Sequence, residues 1–368
     1  MAFDFPASPT NGQVFTPPGG PTYVWNGSAW AGAGFTPVVT VLPTAEARNR
    51  IVNPAMQISQ ELGDSGSTTA GAYVADQWLM QTNGMTNCGA VRLSTTPTVN
   101  GSTRRLFVSI NTLKASIAAG DYHYVQQLIE GVRLADMMLG TANAKPMVLR
   151  FTARSNTVTG TFCWSLRNNG AAQSYVGDFS IPAINTDYVI TAVIPPLTAG
   201  TWPIDNSQNS SLTFCFVSGS TYQGAAGINA SNKLATANIS NGASAVGAFT
   251  IADVGLYADP NNTGIAPPWQ MPDEAQELAA CMRYWEKGTS RFDAYVTSGF
   301  GYTTPVAYKA QKRINPPAIA PVNVSAGNFP ATAAAGVSND LNGHSAYRIS
   351  NATGSGFFIE TWAANARM

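Results

Sequence analysis

The chain has 368 residues, with 20 basic side chains against 20 acidic ones, and only 11% of it is charged. That balance supplies no net field to steer it toward nucleic acid or anionic lipid, and 10% aromatic residues argue against disorder. No apolar run approaches the ~18 residues of a membrane span, and no basic region followed by an apolar core opens the chain, so synthesis and folding in a cytosol are expected.

Asp4 is the only charged side chain before Glu46. Within this stretch, Trp25-Asn26-Gly27-Ser28-Ala29-Trp30 predicts a hairpin whose type I′ turn uses Asn26-Gly27, because that pair meets the need for two positive φ angles at least steric cost. One isolated hairpin is marginal in water. Residues 1–35 therefore read as a docking module, with Tyr23, Trp25 and Trp30 as its interface candidates, and 36–48 as a linker.

From about 49 to 268 the chain reads as strand after strand. Arg105–Ile110, Met147–Ala153, Tyr188–Ile194 and Ser211–Val217 are clear examples, separated by turn signals such as Asn168-Asn169-Gly170. About ten short strands without βα alternation predict an antiparallel two-sheet sandwich. Arg133–Leu139, closed by Gly140, reads as a short helical connector. A capped helix is expected next, within 269–288. Asp273 and Gln276 form its capping box, Leu278, Met282 and Trp285 recur at helical spacing, and Gly288 supplies the position after its end. From 289 to 368 the sequence returns to strands at Phe292–Val296, Val306–Ala310, Tyr347–Ser350 and Phe357–Trp362, with Ala331–Gly343 as a loop. The expected fold is all-β: an N-terminal hairpin anchor, a jelly-roll sandwich, one short helix and a C-terminal β domain whose open edges invite another subunit.

Catalytic chemistry is hard to assemble from these residues. His123 and His344 stand in unrelated contexts, no nucleophile elbow is present, and Glu130, Asp136, Asp178 and Asp187 show no spacing that pairs them on one face. Cys88, Cys163, Cys215 and Cys281 lack metal-ligand spacing and read as small buried thiols, with a disulfide left open. No metal, cofactor or catalytic residue is assigned. Sugar binding needs an aromatic ring for the apolar sugar face and amides or acids for its hydroxyls. Tyr175, Trp202 and Tyr222, in loop-like contexts, are the candidates, with packing as the alternative for each; Trp78, Trp164 and Trp285 read as core.

Several stretches resemble bacteriophage fibre proteins. Phe5-Pro6, Ser8-Pro9-Thr10 and Gly20 through Trp30 resemble the N-terminal module of tail-fibre and virion-appendage proteins. Arg48–Ile58 followed by Tyr73-Val74-Ala75-Asp76-Gln77-Trp78 looks like the opening of a phage-fibre jelly roll. Gln127–Gly131, Leu149–Ser155 and Glu277–Lys287 fit that family's Ile-Glu-Gly strand, Phe-x-Ala-Arg-Ser strand and Glu-Leu-x-x-Cys-x-Arg-Tyr helix. Pro54 and Ser59-Gln60-Glu61 depart from the pattern, which weakens any transfer of binding residues from that strand. The resemblance implies a homotrimer anchored to other virion proteins by its N-terminus, assembled in a bacterial cytoplasm, and displaying β domains for adhesion to host-surface polysaccharide. It leaves open attachment to tail, collar or head. A virion-borne polysaccharide-degrading enzyme and a free carbohydrate-binding module are the rival expectations.

Overall fold

Strands that alternate apolar and polar residues can bury one face each, and those of this chain do so in two antiparallel layers. A computed structural model of the chain describes residues 4–32, 47–94, 96–240, 247–331 and 336–368. It divides into two compact units, Met1–Thr44 and Ala45–Met368. The second unit begins with the sandwich. One sheet has seven strands in the order Gly227–Asn229, Ser174–Ile181, Gly160–Asn168, Gln208–Ser218, Tyr122–Glu130, Trp78–Asn83 and Tyr73–Ala75. The other has five, in the order Tyr188–Ile194, Met147–Ser155, Gly247–Ala258, Arg104–Ile110 and Cys88–Ser94. Sequence-distant strands lie side by side in both, which is jelly-roll connectivity rather than a meander.

The alternation decides which side chains fill the space between the sheets. Met147, Leu149, Phe151 and Ala153 point inward and are buried, while Arg150 and Arg154 point outward. Phe151 meets Phe214 at 4.7 Å, Phe162 meets Phe249 at 4.7 Å, and Phe216 stacks on Phe249 at 4.6 Å. Each fully buried aromatic side chain contributes about 2–3 kcal/mol of transfer free energy, so this row of rings anchors the sandwich. Trp78, Trp164 and Trp285 are all buried, as their positions in strand-like and periodic sequence predict.

In the N-terminal unit the hairpin forms, within a three-stranded sheet of Val14–Phe15, Tyr23–Trp25 and Trp30–Gly32. Its turn differs from the type I′ expectation. Trp25 pairs with Trp30 across four residues, and only Gly27 of the Asn-Gly pair has a positive φ, of 98°. The Asn26 side chain replaces the second left-handed residue by accepting hydrogen bonds from the Ser28 and Ala29 amides at 3.0 and 2.8 Å. The predicted linker, apart from its last two residues, lies outside the described residues.

The helix starts where predicted and stops early. It spans Glu274–Met282, and the Asp273 carboxylate accepts from the Gln276 amide at 3.0 Å. Trp285 is instead the first residue of the strand Trp285–Val296, paired with Asn365. Gly288 is mid-strand rather than a helix cap: a Cβ there would lie 2.4 Å from the Trp362 ring. The remaining strands form two three-stranded sheets, Trp285–Val296, Gly354–Asn365 and Ala318–Gly327 in one, Gly301–Ala307, Gly343–Ile349 and Gly336–Asn339 in the other. Gly336–Asn339 falls inside the stretch expected to be a loop; it pairs with the next strand, Gly343–Ile349, across a tight turn in which the Asp340 carboxylate accepts from the Asn342 and Gly343 amides at 2.7 and 3.0 Å, so the turn was there and the short strand before it was missed.

Candidate functional site

The alternation in Tyr122-His123-Tyr124 places both tyrosines on the outer face of the seven-stranded sheet and turns His123 inward. The two rings lie 5.1 Å apart, and Tyr222 meets Tyr122 edge-on at 5.3 Å. Tyr222 arrives on a segment that folds over this face, in which Gln223–Gly224 pairs with Ala235–Thr236 and Leu234, Ala235 and Ile239 pack on Cys163, Cys215 and Tyr124. Beside the rings the buried Arg167 donates to Gln126 Oε1 at 2.7 Å, Thr213 Oγ1 at 3.1 Å and Asn232 Oδ1 at 2.9 Å. Its guanidinium carbon lies 5.6 Å from the Tyr124 ring centre. Lys233 Nζ donates to the Thr221 carbonyl at 2.8 Å.

Tyr122 and Tyr222 are half-buried, so each leaves part of a ring in solvent. Burial, then the neighbouring Tyr222 phenol, pushes the Tyr122 hydroxyl above its ordinary range, and it stays a neutral donor. The result is a rigid aromatic surface rimmed by amides and cations. Such a surface can stack on an apolar sugar face and hydrogen-bond hydroxyls, and among the described residues it presents no exposed nucleophile or paired carboxylates.

The three candidate binding residues do not converge. Tyr222 is on this face. Tyr175 packs against the sandwich core with its ring 5.6 Å from Trp164. Trp202 is buried in the same core, its indole N–H donating to the Ala199 carbonyl at 2.9 Å. Sequence reasoning missed Tyr122 and Tyr124, although two tyrosines at i and i+2 on a strand must share a face. The signal was present. In the N-terminal unit, Tyr23, Trp25 and Trp30 gather with Phe5 and Phe15: Trp30 stacks on Phe5 at 5.4 Å, Tyr23 meets Phe5 edge-on at 5.0 Å, and Trp25 meets Trp30 at 5.7 Å. None of the five is fully buried within that unit.

The remaining motif residues meet at a junction between the sandwich, the helix and the C-terminal strands. Glu130 accepts from Arg283 at 2.7 and 3.1 Å and from the Tyr284 hydroxyl at 2.8 Å. Glu277 accepts from the Asn53 amide at 2.7 Å, Asn53 spans the carbonyls of Ile58 and Asp76, and Trp78 donates to the Asn53 carbonyl. The other carboxylates considered for catalysis are committed too: Asp136 to Arg50, Asp187 to Arg105, and Asp178 to Thr236 and Asn238. All four cysteines are buried and free. Cys163 and Cys215 stand opposite each other on paired strands, and burial pushes the Cys163 thiol up to about 12.

No protein-family model and no curated protein matches the chain in sequence. Among solved structures, the enzymatically active domain of tailspike protein 4 of bacteriophage CBA120 matches at 13% identity, covering 54% of this chain and 22% of that one, with a TM-score of 0.32. The chain thus spans about a fifth of the tailspike it matches. The family 11 carbohydrate-binding module from Clostridium thermocellum matches at 12% identity over 52% of this chain and 95% of that one, with a TM-score of 0.29. The N-terminal cellulose-binding domain of Cellulomonas fimi β-1,4-glucanase C matches at 14% identity over 55% and 98%, with a TM-score of 0.27.

Proposed function

We propose that this protein is a non-catalytic virion fibre subunit that binds host-surface polysaccharide through the face built by Tyr122, Tyr124 and Tyr222. The observation that carries the reading is the pair of half-exposed rings Tyr122 and Tyr222, backed by the buried Tyr124, with Arg167, Gln126 and Asn232 fixed beside them. Attachment through the aromatic N-terminal unit and assembly as a homotrimer in the host cytoplasm complete it, on the strength of the sequence resemblance. The experiment is a binding titration of purified protein against capsule or lipopolysaccharide from the host, with Tyr122→Ala and Tyr222→Ala beside it. Each substitution removes one stacking platform, and affinity should fall about tenfold with the fold intact. Unchanged affinity in both variants overturns the assignment of the face. Release of oligosaccharides during incubation would favour the rival of a polysaccharide-degrading enzyme, and failure to join particles would favour a free binding module.

A further inference from the structure

A second concavity lies on the opposite sheet. Phe107, Thr250 and Arg154 stand side by side on three adjacent strands, Phe107 opposite Thr250 and Thr250 opposite Arg154, so all three project from the outer face of the five-stranded sheet. Leu93 pairs with Arg105 on the neighbouring strands. These residues, with Thr96 and Asn156, line a cavity of about 110 Å³. Among the described residues its charged lining is Arg105 and Arg154. Arg105 is held by Asp187 in a two-pronged pair at 2.6 and 2.8 Å. Arg154 reaches Asn156 at 3.3 Å and Asn185 at 3.2 Å and stands 3.9 Å from Asp187, so two guanidiniums share one carboxylate. Thr250 supplies the independent pointer: the residue is 5% exposed and its Oγ1 has no hydrogen-bond partner. A buried hydroxyl left unpaired is destabilising, and a ligand oxygen would relieve it.

We infer that this concavity is a subsite for a carboxylate-bearing sugar, a uronic acid unit of an acidic polysaccharide, and the inference rests on the glycan-binding reading above. The Phe107 ring and Leu93 form an apolar floor for the ring of the sugar. Arg154, oriented by Asn156 and Asn185, meets the carboxylate, with Arg105 adding field from beneath. Thr250 Oγ1 and Asn156 are placed for hydroxyls. The excess of one positive charge selects an acid over a neutral sugar, because a guanidinium–carboxylate contact is about twice as strong as a neutral hydrogen bond. The tyrosine face and this concavity lie on opposite sheets, so one polymer can be gripped twice.

The test compares an oligosaccharide containing glucuronic acid with the same oligosaccharide reduced at its carboxyls, by calorimetry on the full chain, with inorganic sulfate as a competing free anion. The acidic form should bind at least tenfold more tightly, Arg154→Gln should erase most of that preference, and Tyr122→Ala should leave the preference in place. Thr250→Val is the more pointed variant. It should hold or raise the melting temperature while weakening the acidic sugar several-fold; unchanged affinity would mean the buried hydroxyl meets no ligand and would overturn its role. Equal binding of both oligosaccharides, with loss of both in Tyr122→Ala, sinks this inference and spares the glycan-binding reading. Displacement by sulfate at equal concentration would reduce the site to a general anion site and overturn the sugar assignment. Binding of neither oligosaccharide nor host polysaccharide overturns both readings.

Discussion

Glu130 illustrates how one residue can carry a motif whose purpose is structural. It is 1% exposed and is the shared acceptor for Arg283 and Tyr284, so removing its carboxylate strands a guanidinium and a phenol at the junction. Glu130→Ala should cost about 3 kcal/mol, and Glu130→Gln less, because the amide oxygen still accepts from one partner. Urea denaturation monitored by tryptophan fluorescence would measure both. The resemblance noted for Gln127–Gly131 and Glu277–Lys287 flagged these residues, yet their meeting needs a strand and a helix end 153 residues apart to be placed in space. Their identity was legible and their pairing was not. His123 makes a second residue-scale case. Burial lowers its pKa from 6.5 to about 4, so the folded protein keeps the ring neutral while the unfolded chain takes up a proton. Stability should therefore be unaffected above pH 6.5, fall as the pH drops from 6.5 toward 4, and level off below, a loss on the order of 3 kcal/mol. Urea midpoints at pH 7, 5.5 and 4 should show a shallower decline in His123→Gln than in the parent. Equal slopes would remove His123 from the account.

At the scale of elements, local signals succeeded wherever the deciding interaction was local. The capping box placed the start of the helix because Asp273 and Gln276 are three residues apart. Strand Tyr188–Ile194 could be bounded from its β-branched run alone. The end of the helix failed, since Leu278, Met282 and Trp285 keep helical spacing while Trp285 is claimed by Asn365, a partner eighty residues on. The same non-local pairing gives Gly288 its real constraint. Its place directly under the Trp362 indole, where a Cβ would meet the ring at 2.4 Å, predicts that Gly288→Ala destabilises the C-terminal sheets by about 1–3 kcal/mol through overpacking. At a helix C′ position the same change would cost about 1 kcal/mol from left-handed strain, with no dependence on Trp362. Thermal melts of Gly288→Ala and of Gly288→Ala combined with Trp362→Leu separate the two, because the smaller side chain should restore part of the loss only if the clash is real.

At the scale of the whole molecule, the hydrophobic clusters divide cleanly by unit. Among the described residues, every large buried cluster belongs to Ala45–Met368, and the rings of the N-terminal unit are half-buried. Deleting residues 1–35 should therefore leave the melting temperature of the remainder unchanged while abolishing incorporation into particles. The ring geometry refines which substitution is informative. Trp30 touches Phe5, Phe15 and Trp25, so Trp30→Ala removes the centre of the small cluster and unfolds the module itself. Trp25 sits to one side, in edge contact with Trp30, and Trp25→Ala keeps the Phe5–Tyr23–Trp30 grouping while deleting the proposed docking ring, worth on the order of 2–3 kcal/mol when buried. Repeated across identical chains, that loss multiplies, and the single variant should lower particle incorporation far more than it lowers stability. Counting labelled subunits on purified particles against differential scanning calorimetry of the same preparations makes the comparison. Normal incorporation of the 1–35 deletion would overturn the proposed N-terminal attachment.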